Sequence, residues 1–114
     1  MLFLGICQLL MDPRTVELTR DLAEIQDFTR CIDSFQHHLQ LLLRMEIPLV
    51  ELEEEAGLLA NRAIYIHNLI VIQRGAQLRR LARVNRPVAM CLRLAMQAQE
   101  EFRDLMLEHF IFPA

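Results

Sequence analysis

A chain of 114 residues has room for one ordinary domain, and an apolar fraction of 54% takes it out of the disordered class. Aromatic residues supply only 6%, with no Trp and one Tyr, and three Gly and four Pro are too few for a fold of many turns, so long helices packed through Leu, Ile and Met are predicted. The net charge of −3 divides unevenly, with the acids concentrated before residue 58 and most of the Arg after it, a balance that disfavours nucleic-acid binding and favours charge pairing within a hairpin or between chains.

Residues 1–10, MLFLGICQLL, form an apolar lead-in. The run lacks a basic n-region and an A-x-A cleavage site, and it falls well below the roughly 20 residues of a spanning helix. It reads as an amphipathic lead-in or a start-site artefact, with Met11 as an alternative start. Residues 11–114 read as a single helical coiled-coil region. Asp12 has the chemistry of an N-cap, and Pro13 suits the first helical position, where its missing N–H costs nothing. Beyond them Leu18, Ile25, Ile32 and Leu39 recur every seven residues, interleaved with Phe28, Phe35, Leu42 and Leu49, and Glu46 is the first fault in the pattern. Such a seam predicts a coiled coil rather than a plain amphipathic helix.

Pro48 interrupts that seam, because an interior proline removes a helical hydrogen bond and costs about 3 kcal/mol. Its neighbour Ile47 is biased out of helical geometry. Helix is predicted to resume on Leu52, Ala56, Leu59, Ala63, Ile66 and Ile70. Leu58, Ile64, Tyr65, Leu69, Val71 and Ile72 broaden the apolar face far beyond one stripe, and a face that wide has to be covered. Arg62 and His67 argue against a membrane span in this segment.

The stretch QRGAQLRRLARVNRP is the most polar of the chain. Its Arg cluster, from Arg74 to Arg86, reads as a match for acidic residues on a partner helix, ahead of an anionic membrane surface or nucleic acid, since no aromatic residues are interleaved for base stacking. A second seam follows through Leu78, Leu81, Asn85, Val88, Leu92, Ala95, Gln99, Phe102, Met106 and His109, with Phe110 and Phe112 at its end. Asn85 and Gln99 occupy a-type positions, where a polar side chain trades stability for register. Pro87 predicts another kink or interruption.

Nothing in the pattern calls for catalysis or a cofactor. His37 and His38 are adjacent, so on a helix they point about 100° apart and cannot both face one ion. The acidic run of Glu51, Glu53, Glu54 and Glu55 reads as a solvated or partner-facing patch, and Ser34 is the only serine. Cys7, Cys31 and Cys91 are odd in number and widely spaced, which suits a reducing location and neither a disulfide framework nor a zinc site. The expected role is therefore non-enzymatic, with Leu18, Ile25, Phe28, Ile32, Phe35, Leu39 and Leu42 on one seam facing a partner, and Leu78, Leu81, Asn85, Leu92, Phe102, Met106, Phe110 and Phe112 on the other.

Several segments together resemble one family. The Asp12–Pro13 lead-in, DFTRCIDSFQ at 27–36 and EEFRDLMLEHFIF at 100–112 are similar, in order and separation, to the intraflagellar transport protein 20 family. The similarity spans about residues 11–112, strong at the ends and weak in the middle, where this chain has Pro48, Pro87 and a more apolar centre than family members. The resemblance implies a coiled-coil subunit of intraflagellar transport complex B that pairs with the coiled coil of intraflagellar transport protein 54. It implies action in cilium assembly and Golgi-to-cilium traffic of membrane cargo, at the cilium, the ciliary base, the Golgi and in the cytoplasm, with peripheral contact to Golgi or vesicle membranes. On that reading the isolated chain should be poorly folded or self-associated. Two other readings compete: a self-contained helical-hairpin or three-helix adaptor that folds back at Pro48 and around Gly75, and a membrane-surface protein using residues 64–72 with the Arg cluster.

Overall fold

The computed structural model describes residues 16–110. The N-cap expectation at Asp12 and Pro13, the lead-in at 1–10 and the interface expectation for Phe112 lie outside the described residues. Within them the protein is all-α: α1 (Val16–Leu43), α2 (Leu49–Asn68), a π-helical turn (Leu69–Gln73), α3 (Gly75–Val84) and α4 (Arg86–His109).

The first heptad seam becomes α1, a helix of 28 residues and about 42 Å, which sets the 48 Å long dimension of the molecule. Its buried residues are Leu18, Leu22, Ile25, Phe28, Ile32, Phe35 and Leu39, with Leu42 partly covered. The seam that the sequence assigns to a separate polypeptide is therefore filled by the chain's own helices. α1 packs against both α2 and α4, whereas α2 and α4 meet each other only sparsely.

Pairs of contacts fix the directions. His38 meets Glu55, Asp27 meets Arg62, and Asp21 meets Arg74, so numbering falls along α2 as it rises along α1, and the two are antiparallel. Leu22 lies beside Cys91, Phe35 beside Phe102, and Gln36 beside Glu101, so α4 runs parallel to α1. α3 packs against α4 and the π turn, and it supplies the return that makes this order feasible.

The reversal between α1 and α2 uses a Schellman arrangement. Glu46 N–H donates to Leu41 O at 2.9 Å and Met45 N–H donates to Leu42 O at 2.8 Å, which satisfies the last carbonyls of α1. Met45 takes φ 62°, the left-handed region that glycine normally fills at this position. Pro48, extended at φ −75° and ψ 147°, then stands as the residue before α2, where its lack of an N–H is harmless.

At the second boundary Asn85 is not the register key of a continuous seam. It is extended, and its Oδ1 accepts from Val88 N–H at 3.2 Å, so it caps α4, with Pro87 in that helix's first turn. The single stripe from Leu78 to His109 is thereby cut in two. Leu78 and Leu81 belong to α3, and the buried stripe of α4 is Val88, Cys91, Ala95, Ala98 and Phe102, with Leu92, Met106 and Phe110 partly covered.

Left-handed geometry costs a side-chain-bearing residue about 1–2 kcal/mol, offset in part by the greater freedom glycine loses on folding. Met45→Gly is expected to stabilise the protein by about 0.5–1 kcal/mol, a rise of several degrees in the melting temperature followed by circular dichroism. An unchanged or lowered melting temperature would contradict this account of the turn.

Candidate functional site

On a helix, residues one apart lie about 100° around the axis, so two seven-residue stripes displaced by one position make two adjacent faces. α2 carries both. Leu52, Ala56, Leu59 and Ile66 are buried, and beside them Ala60, Ile64 and His67, continued by Val71 in the π turn, form a less buried stripe. α4 does likewise, with Met96, Gln99, Arg103 and Met106 beside its buried stripe. These second faces look toward one another across a groove of about 610 Å³, whose walls are mainly apolar and whose floor includes Phe102.

The architecture explains the groove. Three helices with α1 touching both neighbours, while those neighbours scarcely meet, occupy three corners of a square bundle. The fourth corner is open. Ala60 and Ala63 keep that side of α2 low, and Gln99 Nε2 donates to Ala63 O at 2.8 Å, tying α4 to α2 along the groove. Ile64 at 62%, Val71 at 52% and Met96 at 58% exposure leave more apolar surface in water at the groove's edges than scattered single residues would. His67, Glu100 and Arg103 are its ionisable lining.

Of the interface residues expected from sequence, Phe102 and Met106 line this groove. Leu18, Ile25, Phe28, Ile32, Phe35 and Leu39 are buried against the chain's own helices, and Asn85 is buried as a cap. Ile64, His67, Val71, Met96, Glu100 and Arg103 were not among those expected. The signal for them was the second stripe beside each seam, visible in α2 as the broad apolar face and in α4 only as a mixed run.

The charge pattern is partly internal. Arg74 bonds Asp21 at 2.8 Å and Glu17 at 3.1 Å, and these hydrogen bonds raise the guanidinium's already high pKa. Arg62 bonds Asp27, and its Nη1 donates to Cys31 Sγ at 3.3 Å. The acidic stretch meets not the Arg cluster but His38, through Glu55 at 2.7 Å. The more exposed of these pairs, Arg62 with Asp27 and Arg74 with Glu17, contribute about 0–1 kcal/mol each, whereas Arg74 with Asp21 is part-buried. Among the described residues no three His, Cys, Asp or Glu side chains converge as metal ligands, and no helix is long and apolar enough to cross a membrane.

Asn85 Nδ2 is buried without a hydrogen-bond partner while Oδ1 serves as the cap. Asn85→Ser keeps an acceptor for Val88 and removes the orphaned donor, so its stability is expected within about 0.5 kcal/mol of the parent or above it. Asn85→Leu, which would strengthen a continuous coiled coil, is expected to cost about 1–2 kcal/mol through loss of the cap. Urea denaturation of both variants separates the cap from the register key.

Burial pushes the Cys91 thiol up to about 11 from 9.0. The fold thus favours the neutral thiol. Its contribution is fully present below the unfolded value and is lost as pH rises through about 11, amounting to about 2–3 kcal/mol at the limit. Cys91→Ser, which does not titrate, is expected to flatten the decline in stability between those pH values, with Cys31 alkylated ahead of Cys91 in the native parent.

No family model matches the chain, and neither a curated protein nor a solved structure matches it.

Proposed function

We propose that this chain is a non-enzymatic helical assembly subunit whose groove between α2 and α4 accepts a helix from another polypeptide. The observation that carries this reading is the open fourth corner of the bundle, with exposed Ile64, Val71 and Met96 at its edges. Apolar walls between two helices are chemically suited to burying an amphipathic helix, whose affinity comes from the side chains it anchors at three- and four-residue spacing. The groove's few polar groups, Gln99, Glu100, Arg103 and His67, supply orientation.

The more specific reading, resting on the sequence resemblance, is a subunit of intraflagellar transport complex B that pairs with the coiled coil of intraflagellar transport protein 54. Its work would be cilium assembly and the traffic of membrane cargo from Golgi to cilium. The two segments that carry the resemblance meet in space: Phe35 packs edge-on against Phe102 at 5.6 Å and near Phe110 at 6.0 Å, and Gln36 donates to Glu101 at 3.2 Å. Two matches far apart in sequence thus belong to one packing unit.

Replacing Phe28 or Phe35 by Asp would abolish partner capture by unfolding the bundle, since both are fully buried. Exposed groove residues give a cleaner test. The tagged chain is expected to co-purify intraflagellar transport protein 54 and other complex B subunits from ciliated cells. The Ile64→Asp/Val71→Asp variant is expected to lose them with its circular dichroism unchanged. A parent pull-down without complex B subunits removes the ciliary reading, and a partner retained by the groove variant removes the groove as the site.

A further inference from the structure

The outer edge of α4 carries Met96, Glu100, Arg103 and Leu107, spaced four, three and four residues apart on one face. All four are exposed: Met96 and Leu107 at 58% and 55%, and the Arg103 side chain at 69%. A large apolar side chain, an acid, a base and a large apolar side chain, read in either direction, form a pattern whose reverse is its own complement. Set an identical stripe antiparallel to it, centred between Glu100 and Arg103. Met96 then faces Leu107 of the second copy, Glu100 faces Arg103, and both pairings occur twice. Among the described residues Glu100 has no ion-pair partner, and Arg103 has only its neighbour Asp104, at 3.8 Å.

We infer that the protein pairs with a second copy of itself through this stripe, α4 against α4 in antiparallel order, closing the groove of each protomer. The inference rests on the docking role proposed above and makes a second copy the groove's occupant in the isolated protein, which an incoming partner helix has to displace. Two-fold symmetry requires one patch that fits itself, and a palindromic charge pattern meets that requirement without a second surface. A single stripe of four positions buries little by itself. The α2 edge adjoins it, however, so Ile64 of each protomer is brought toward the α4 of the other and the open fourth corner receives apolar cover. Reversed pairing, with α4 parallel to α4, would set Glu100 against Glu100 and Arg103 against Arg103, and like charges opposed in this way disfavour it.

The test is a charge swap read by sedimentation equilibrium across a dilution series. The parent is expected at twice the 13.4 kDa chain mass, dissociating on dilution and more readily at high salt. Glu100→Arg alone and Arg103→Glu alone each place like charges across both symmetric contacts, and each is expected to weaken the dimer at least tenfold with the helical circular dichroism intact. The double variant Glu100→Arg/Arg103→Glu restores the palindrome in inverted form and is expected to recover the parent's association. A parent that stays monomeric at every concentration overturns the inference, as does a dimer indifferent to the single swaps or a double swap that fails to recover. Should any of these occur while Ile64→Asp/Val71→Asp still abolishes partner capture, self-pairing falls and the docking role stands; should capture also be unaffected, both fall.

Discussion

The apolar stripe of α1 governs everything else in this fold. Seven buried residues on a 28-residue helix present a face too broad for one neighbour, and α1 packs against both α2 and α4. Phe28 and Phe35 have no exposed surface, and Phe35 packs against Phe102 of α4. Each such ring contributes on the order of 3–5 kcal/mol against truncation to alanine. α1 must therefore sit at the corner of the bundle with a neighbour on either hand. That placement keeps α2 and α4 apart, and the groove between them follows from it.

The groove differs from the core in kind. Core positions are filled by large side chains locked by neighbours, such as the Phe35, Phe102 and Phe110 cluster. The groove wall formed by α2 and the π turn instead combines alanine with exposed branched residues. Alanine leaves space, and Ile64 and Val71 hold apolar surface at the edge of that space. A helix entering there releases ordered water from surface already assembled on rigid elements, so little conformational freedom is lost on the receiving side.

Much of this was legible in the residues themselves. The all-α class followed from scarce Gly and Pro and a Leu-rich seam, and the apolar positions on α1 were read down to Leu39 except for Leu22, which is fully buried outside the seven-residue repeat. Pro48 announced the end of one helix and the start of another. What the seam did not disclose was its owner, because a heptad pattern specifies a helical neighbour and is silent on whether that neighbour lies in the same chain. Asn85 was misassigned for a related reason: a polar residue in an apolar stripe and a helix cap look alike until the backbone at Pro87 is known. The groove was the hardest to foresee. Its α4 wall mixes Met96, Gln99, Glu100 and Arg103, which in isolation resemble an ordinary solvated face, and only the α2 side with its surplus of exposed apolar residues hinted at a missing neighbour.

The π turn at Leu69–Gln73 carries a consequence for how this fold tolerates change. Arg74 N–H reaches back five residues to Leu69 O, so this turn holds one residue more than a regular α-turn. That surplus rotates the following segment by about 100° and delivers Arg74 to the carboxylates at the start of α1. Shortening the loop of backbone by one amino acid would leave the hydrophobic positions of α2 where they are but swing α3 off its track, and the cation with it. Genetic drift can thus alter the composition of this stretch far more freely than its length, which is held by the two ion pairs of one arginine and the return path of the chain.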